Sequence, residues 1–441
     1  MTTEPAEGHQ ATPPAQDPTA RPERGLGRGL LAHRNFRLLL VGETTSKLGT
    51  SVTSVLLPLT AVGTLDASPF AVGLLTAAPW LPWLVLGLPA GAWVDRMRCR
   101  AVMLCCNLIS AVLYASVPVA WWLGALTMGH LLAVALLAGA ASVFFSTAYS
   151  AYLPSLVARS ELLEGNAKLQ TGDQTTRVAG PGLGGLVAQT VGSAPGLLLD
   201  ALSFLVSSAC LLRINAQEQR RAPQTRRIRE EISDGLRFVV HDRYVRTVTV
   251  YGAALNLALA AYQAVQVVFL VRTVGAGPGL VGVLLACGGL GGVVGGLAAT
   301  PLTRRFGTAR GVLLIQLAAA PFTLLIPLTA PGARLSLFVV GSTVLMAGVV
   351  ACNVVLVSFR QTYCPPELLG RVTATTLALN YSTIPLGAIL AGTATTTLGA
   401  RPTMWLVAVA LIATTGVLGG SPVRGVRDLP QRQAHEHVAG G

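Results

Sequence analysis

The chain has 441 residues, of which 52% are hydrophobic and only 12% charged; mean hydropathy is +0.60 and formal net charge +13. Soluble domains carry about 25% charged residues, so a soluble enzyme or a soluble nucleic-acid-binding domain is excluded and an integral membrane protein is left. In that class a basic excess marks arginine-rich loops on one membrane face, not a nucleic-acid partner.

Residues 1–29 are polar and rich in proline, with no cleavable leader pattern, and read as a disordered cytoplasmic tail. Twelve apolar segments of bilayer-spanning length follow. The first six lie at 36–64, 70–94, 101–123, 128–153, 167–191 and 196–212. The polar stretch 213–246 then carries nine arginines. Its second half places Ile228, Ile232, Leu236 and Val239 at helical spacing, as in an amphipathic helix lying on a membrane surface. Six more segments follow at 247–271, 279–302, 311–328, 335–363, 372–398 and 403–419. The predicted organisation is a six-helix bundle over 30–212, a cytoplasmic linker over 213–246, a second bundle over 247–420 and a cytoplasmic tail over 421–441.

The basic residues orient the chain. Lys47 and Arg177 fall inside spans, and the loops on one side hold only Arg272, Arg334 and Arg401. Nearly all other basic residues fall on the opposite side, which the positive-inside rule assigns to the cytoplasm together with both termini. The seven cysteines lie in or beside apolar segments without a C-x-x-C pattern and read as reduced packing residues. The expected location is the cytoplasmic membrane, as a multi-pass monomer in the lipid bilayer.

Two spans carry charge pairs at the same spacing, Glu43 with Lys47 and Asp173 with Arg177. At i, i+4 with the acid first, each pair shares one helix face in the favourable orientation. Ionised groups at that depth are costly and are usually retained for a function. They could glue helices together, or one carboxylate could gain and lose a proton during transport, with Asp173 favoured over Glu43. Between 247 and 419 the only carboxylate is Glu367, in a predicted inner loop, so a carboxylate proton carrier belongs to the first half; Asp200 is a third, less favoured candidate.

After the second span the chain reads Gly91-Ala-Trp-Val-Asp95-Arg96-Met-Arg98-Cys-Arg100. This resembles the G-x-x-x-D-R-x-G-R-K signature of the major facilitator superfamily. Gly91, Asp95, Arg96 and Arg100 match, while Arg98 and Cys99 depart from it. A weaker echo around Arg304, Arg305 and Gly307 lacks the aspartate. The run Gly180-Pro181-x-x-Gly184-Gly185 resembles the fifth-helix motif of exporters in that superfamily, where proline can bend a helix and small residues let a neighbour approach. Arg34-Asn-Phe-Arg37, Asp200-Ala-Leu-Ser203-Phe204 and Leu369-Gly-Arg371-Val372 are similar to the macrolide-efflux and enterobactin-export branch. The resemblance implies an all-α fold of twelve helices in two bundles. It also implies a conformational latch anchored on Asp95 and a central cavity lined mainly by the first, fourth, seventh and tenth helices.

Polar and aromatic residues placed to line or adjoin such a cavity are Tyr149, Tyr152, Asn256, Tyr262, Gln263, Gln266, Asn353, Arg360, Gln361, Asn380 and Tyr381. Any one of them could instead make an interhelical hydrogen bond. No Walker A loop, HExxH, GxSxG or metal-ligand spacing occurs, so neither a cofactor nor a metal is implied. The expected function is secondary, proton-coupled export of amphipathic small molecules such as drugs, macrolides, siderophores or secondary metabolites. The alternatives are an importer or facilitator on the same fold, and a membrane scaffold or sensor that transports nothing.

Overall fold

The computed structural model describes residues 30, 33–94, 97–156, 162–215 and 228–430, and no strand occurs among them. The helices of the first half are α1 (Arg34–Leu59), α2 (Pro69–Ala77), α3 (Leu81–Val94), α4 (Cys99–Trp122), α5 (Met128–Leu156), α6 (Leu162–Thr190), α7 (Ser193–Gly196) and α8 (Leu198–Arg213). The linker holds α9 (Ile228–His241). The second half has α10 (Arg243–Val268), α11 (Pro278–Phe306), α12 (Thr308–Ala319), α13 (Leu335–Tyr363), α14 (Pro366–Leu398) and α15 (Ala400–Gly419). Among the described residues, ten helical stretches are long and apolar enough to cross a membrane. The other two predicted spans are α1 and α6, helices of 26 and 29 residues that carry the charge pairs and pack within the same bundle.

Helix ends follow local chemistry. Ser68 caps α2, accepting from the Ala71 amide, with Pro69 at the first helical position where its missing N–H is no loss. Asp242 caps α10 by accepting from the Tyr244 and Val245 amides at 3.0 and 2.8 Å, and its other oxygen accepts the Tyr363 hydroxyl at 2.7 Å. The second predicted span is split by a 3-10 turn at Ala78–Trp80, where Pro79 and Pro82 remove backbone donors. By contrast α6 runs unbroken through Pro181.

The two halves repeat the same packing. In the first, α1 packs on α6 and α8, and α4 on α5 and α8; in the second, α10 packs on α14 and α15, and α12 on α13 and α15. Inverted or parallel internal repeats of this kind are common in secondary transporters. The repeat reaches single hydrogen bonds at the end of the molecule opposite the linker, called the far end. After α1 a π-helical turn over Thr60–Thr64 closes with Leu65 N–H to Thr60 O and Ala67 N–H to Ala61 O. After α10 the turn over Phe269–Thr273 closes with Val274 N–H to Phe269 O and Ala276 N–H to Leu270 O.

The halves meet through α6 with α11 and through α2 and α3 with α14. At the far end this contact is made by backbone. A β-carbon on Gly185 would sit 2.5 Å from Gly282 Cα, and one on Gly73 would sit 2.6 Å from the Ala388 carbonyl oxygen. Only glycine permits such an approach, and the far end is closed.

Two expectations are corrected. The linker helix α9 does not simply lie on a membrane surface. It packs on α14 with Gly235 against Arg371 and Thr375, and Val239 is buried with Val245, Cys364 and Val372, while Leu236 is exposed. A hydrophobic stripe marks a buried face but not what covers it. Next, α6 and α14 begin before the apolar segments predicted at 167 and 372, because helical hydrogen bonding continues where hydropathy ends. The segment after α15 docks on α12. Arg427 O accepts from the Ala309 and Arg310 amides, Asp428 accepts from the Thr308 amide at 2.8 Å, and Leu429 is buried.

Candidate functional site

The four predicted charges form one continuous chain. Lys47 Nζ lies 3.5 Å from Glu43 Oε1 on its own helix and 3.3 Å from Asp173 Oδ1 on α6. Asp173 Oδ2 in turn accepts from Arg177 Nε at 2.9 Å. The alternation Glu43–Lys47–Asp173–Arg177 is neutral overall, so each acid has a cation within reach. The i, i+4 spacing forms the two outer links. The central link exists because α1 and α6 touch at Gly172, where a β-carbon would come within 2.7 Å of Thr44 Oγ1.

Burial differs along this chain. Glu43 is 7% exposed, in a crevice with Leu39, Gly42, Met103, Phe145, Ser207 and Cys210. Arg177 is exposed over 66% of its side chain. It lies within electrostatic reach of Tyr381 on α14, across the seam between the halves; Arg360, on α13 in the same half as Tyr381, also lies within reach of that tyrosine. Tyr149 lies within electrostatic reach of Glu43 and Asp173.

Tyr381 also packs against two tryptophans that sequence reading passed over. Its ring centroid lies 5.2 Å from Trp80 and 5.8 Å from Trp83. Both belong to the second predicted span, where apolar aromatics give no polar signal.

The remaining predicted cavity residues divide. Gln266 and Arg360 are half-buried, and Gln263, Asn353 and Gln361 are exposed. Asn256 donates to the Gly252 carbonyl of its own helix at 2.8 Å. Asn380 packs against Gly252 of α10. Tyr152 and Tyr262 are buried, at 1% and 3% exposure: Tyr152 among apolar residues of the first half, and Tyr262 in an apolar cluster drawn from both halves. An aromatic residue with a polar tip gives the same sequence signal in a core as on a cavity wall.

Of the signature loop, Asp95 and Arg96 lie outside the described residues, and Gly91 belongs to the last turn of α3. Arg100 donates to the Leu211 and Leu212 carbonyls at 2.9 and 2.6 Å, capping the end of α8. In the exporter-type run, Gly180 and Gly184 face α1 at Ser51 and Val52, and Gly185 faces α11. That run therefore serves two interfaces at once. Sequence reading also ranked Asp200 low. It is fully buried, accepts the Thr53 hydroxyl at 2.7 Å and the Ser203 hydroxyl at 3.1 Å, and has no cation within ion-pair distance among the described residues.

A family model described as transmembrane secretion effector matches residues 29–437. The chain belongs to that family. Among curated relatives, the MFS-type transporter y4rN of Sinorhizobium fredii is 27% identical over 360 residues, covering 80% of this chain and 87% of that one. The multidrug efflux pump Tap of Mycolicibacterium fortuitum is 28% identical over 371 residues, covering 80% and 88%. Among solved structures, a point variant of the nucleoside transporter NupG superposes with a TM-score of 0.74 at 12% identity, covering 88% of this chain and 99% of that one. At that identity the likeness shows the fold, which is that of the major facilitator transporters. The chain is a multi-pass membrane transporter.

Proposed function

We propose that this protein is a proton-coupled exporter of amphipathic small molecules. The linker end and both termini face the cytoplasm, and a monomer forms the working unit. Two bundles, 30–212 and 247–420, alternate about the seam between them, joined by the linker 213–246. The observation that carries the coupling is the charge chain: Lys47 bridges two carboxylates on two helices at once. Protonation of Asp173 removes one of the two acids that hold Lys47 and releases Arg177 toward the seam. Loss of the proton restores both links and draws α6 back onto α1. A ligand in the seam near Tyr381, Trp80 and Trp83 meets aromatic surface and the Arg177 guanidinium together. Export of drug-like compounds is supported by the efflux relatives in the family.

The test is proton movement in inverted vesicles carrying the protein, read with a pH-quenched dye against a panel of macrolides, siderophores and other amphipathic compounds. The expected result is proton release on adding one compound class, lost in Asp173→Asn. Substrate uptake into the vesicles with no proton movement, in wild type and Asp173→Asn alike, would reject coupling while leaving transport intact.

A further inference from the structure

An ion pair ties the two halves together at the far end. Arg272, in the π-turn after α10, donates from Nη2 to Asp66 Oδ1 at 2.6 Å and to the Ala67 carbonyl at 2.8 Å. The partners sit in the two copies of one repeated element. Thr64-Leu-Asp-Ala-Ser-Pro69 leads into α2, and Thr273-Val-Gly-Ala-Gly-Pro278 leads into α11. Both copies have the same turn and the same pair of closing hydrogen bonds.

The copies differ at one informative position. The third residue of each has a left-handed backbone, with φ 73° at Gly275 and φ 46° at Asp66. Glycine takes that conformation freely, whereas a β-carbon disfavours it, least so for aspartate and asparagine. Asp66 is the only non-glycine residue with positive φ among those described. Its side chain is 95% exposed and makes no hydrogen bond among the described residues other than that to Arg272. Packing therefore gives no reason for an aspartate where the other half uses glycine. What the carboxylate adds is the link to the opposite half.

We infer that Asp66 and Arg272 are the outer latch of the transport cycle: the pair forms when the far end closes and must break whenever it opens. An exposed pair contributes little to folding. It bears on one of two conformations only, so it shifts their ratio by its full strength. It acts beside the backbone contact of Gly185 with Gly282, which is short-range, while the ion pair is weakened by salt. The inference requires alternating access but not proton coupling.

The test uses the full-length protein in lipid nanodiscs. Nitroxides are placed at Ala125 and Ala333, exposed far-end positions of opposite halves, in a background without other reactive cysteines, and distances are read by pulsed electron resonance. Asp66→Asn and Arg272→Gln should each raise the fraction with a separated far end about five-fold. The double variant should rise no further. Added salt should raise that fraction in wild type and leave the variants unchanged. Asp66→Gly should open the far end as Asp66→Asn does, although it relieves the backbone. Wild-type distance distributions in Asp66→Asn and Arg272→Gln would overturn the latch. So would additive effects in the double variant, or an effect confined to Asp66→Gly, which would assign the position to backbone strain. The readout needs no substrate, so it stands apart from the proton experiment.

Discussion

Lys47 of α1 bridges two carboxylates, Glu43 one turn before it and Asp173 on the neighbouring helix α6. Its removal strands Glu43, which is 7% exposed, while Asp173 keeps Arg177. Breaking a fully buried pair costs about 3–5 kcal/mol. Lys47 is 34% exposed at its side chain, so Lys47→Gln is expected to lower stability by about 2 kcal/mol. Glu43→Gln in the same background should recover most of it, because the stranded charge is then gone. Unfolding followed in detergent checks both; an unrecovered double variant would mean the bridge works through packing alone.

Gly185 and Gly282 set how closely α6 and α11 approach at the far end, with no room for a β-carbon on either. Gly185→Ala is expected to hold the halves apart there, at a cost of about 1–3 kcal/mol to the closed form. Transport should fall by about ten-fold or more with membrane insertion unchanged. Gly182→Ala is the control, since a β-carbon there would meet Ala286 at an ordinary 3.6 Å. Equal losses in both variants would count against the close approach as the cause.

Thr53 gives its hydroxyl to Asp200, a carboxyl group with no exposed surface. A buried polar group deprived of its donor costs about 1–3 kcal/mol. Thr53→Val keeps the shape and removes the donor, so it is expected to destabilise the first half by that amount. Thr53→Ser should be close to wild type. The order of the melting temperatures decides the matter: valine lowest, with serine near threonine.

Asp428 caps α12 from the far end of the sequence, and Leu429 buries itself beside it. Gly307, at φ 88°, leaves the space that Arg427 occupies. Asp428→Ala is expected to cost about 1 kcal/mol, the usual value of an N-cap. Truncation after Gly425 should cost more, because the apolar contact of Leu429 goes too. Calorimetry on the purified protein distinguishes the two; a truncated chain as stable as wild type would show that the docking is incidental.

Much of the charge chain is legible in the sequence. The i, i+4 spacing of Glu43 with Lys47 and of Asp173 with Arg177 is a property of one helix, and both links are formed. The Lys47–Asp173 link was not legible, since it depends on α1 and α6 touching at Gly172. The repeat that frames Asp66 and Arg272 was in the letters, as T-L-D-A-S-P and T-V-G-A-G-P, but short imperfect repeats stand out only once their turns superpose.

Local physics thus fixed the membrane class, the helices and the paired charges, because hydropathy and the 3.6-residue period act along a single helix. Which helices are neighbours was decided by the tertiary structure, through small-residue seams that let backbones approach. Only that arrangement carries Lys47 to Asp173, Arg272 to Asp66, Arg100 to the end of α8 and Tyr381 to Trp80 and Trp83. It also sends Tyr152 and Tyr262 into the cores. Those contacts join residues far apart in the chain, and no periodicity within one helix encodes the face of another.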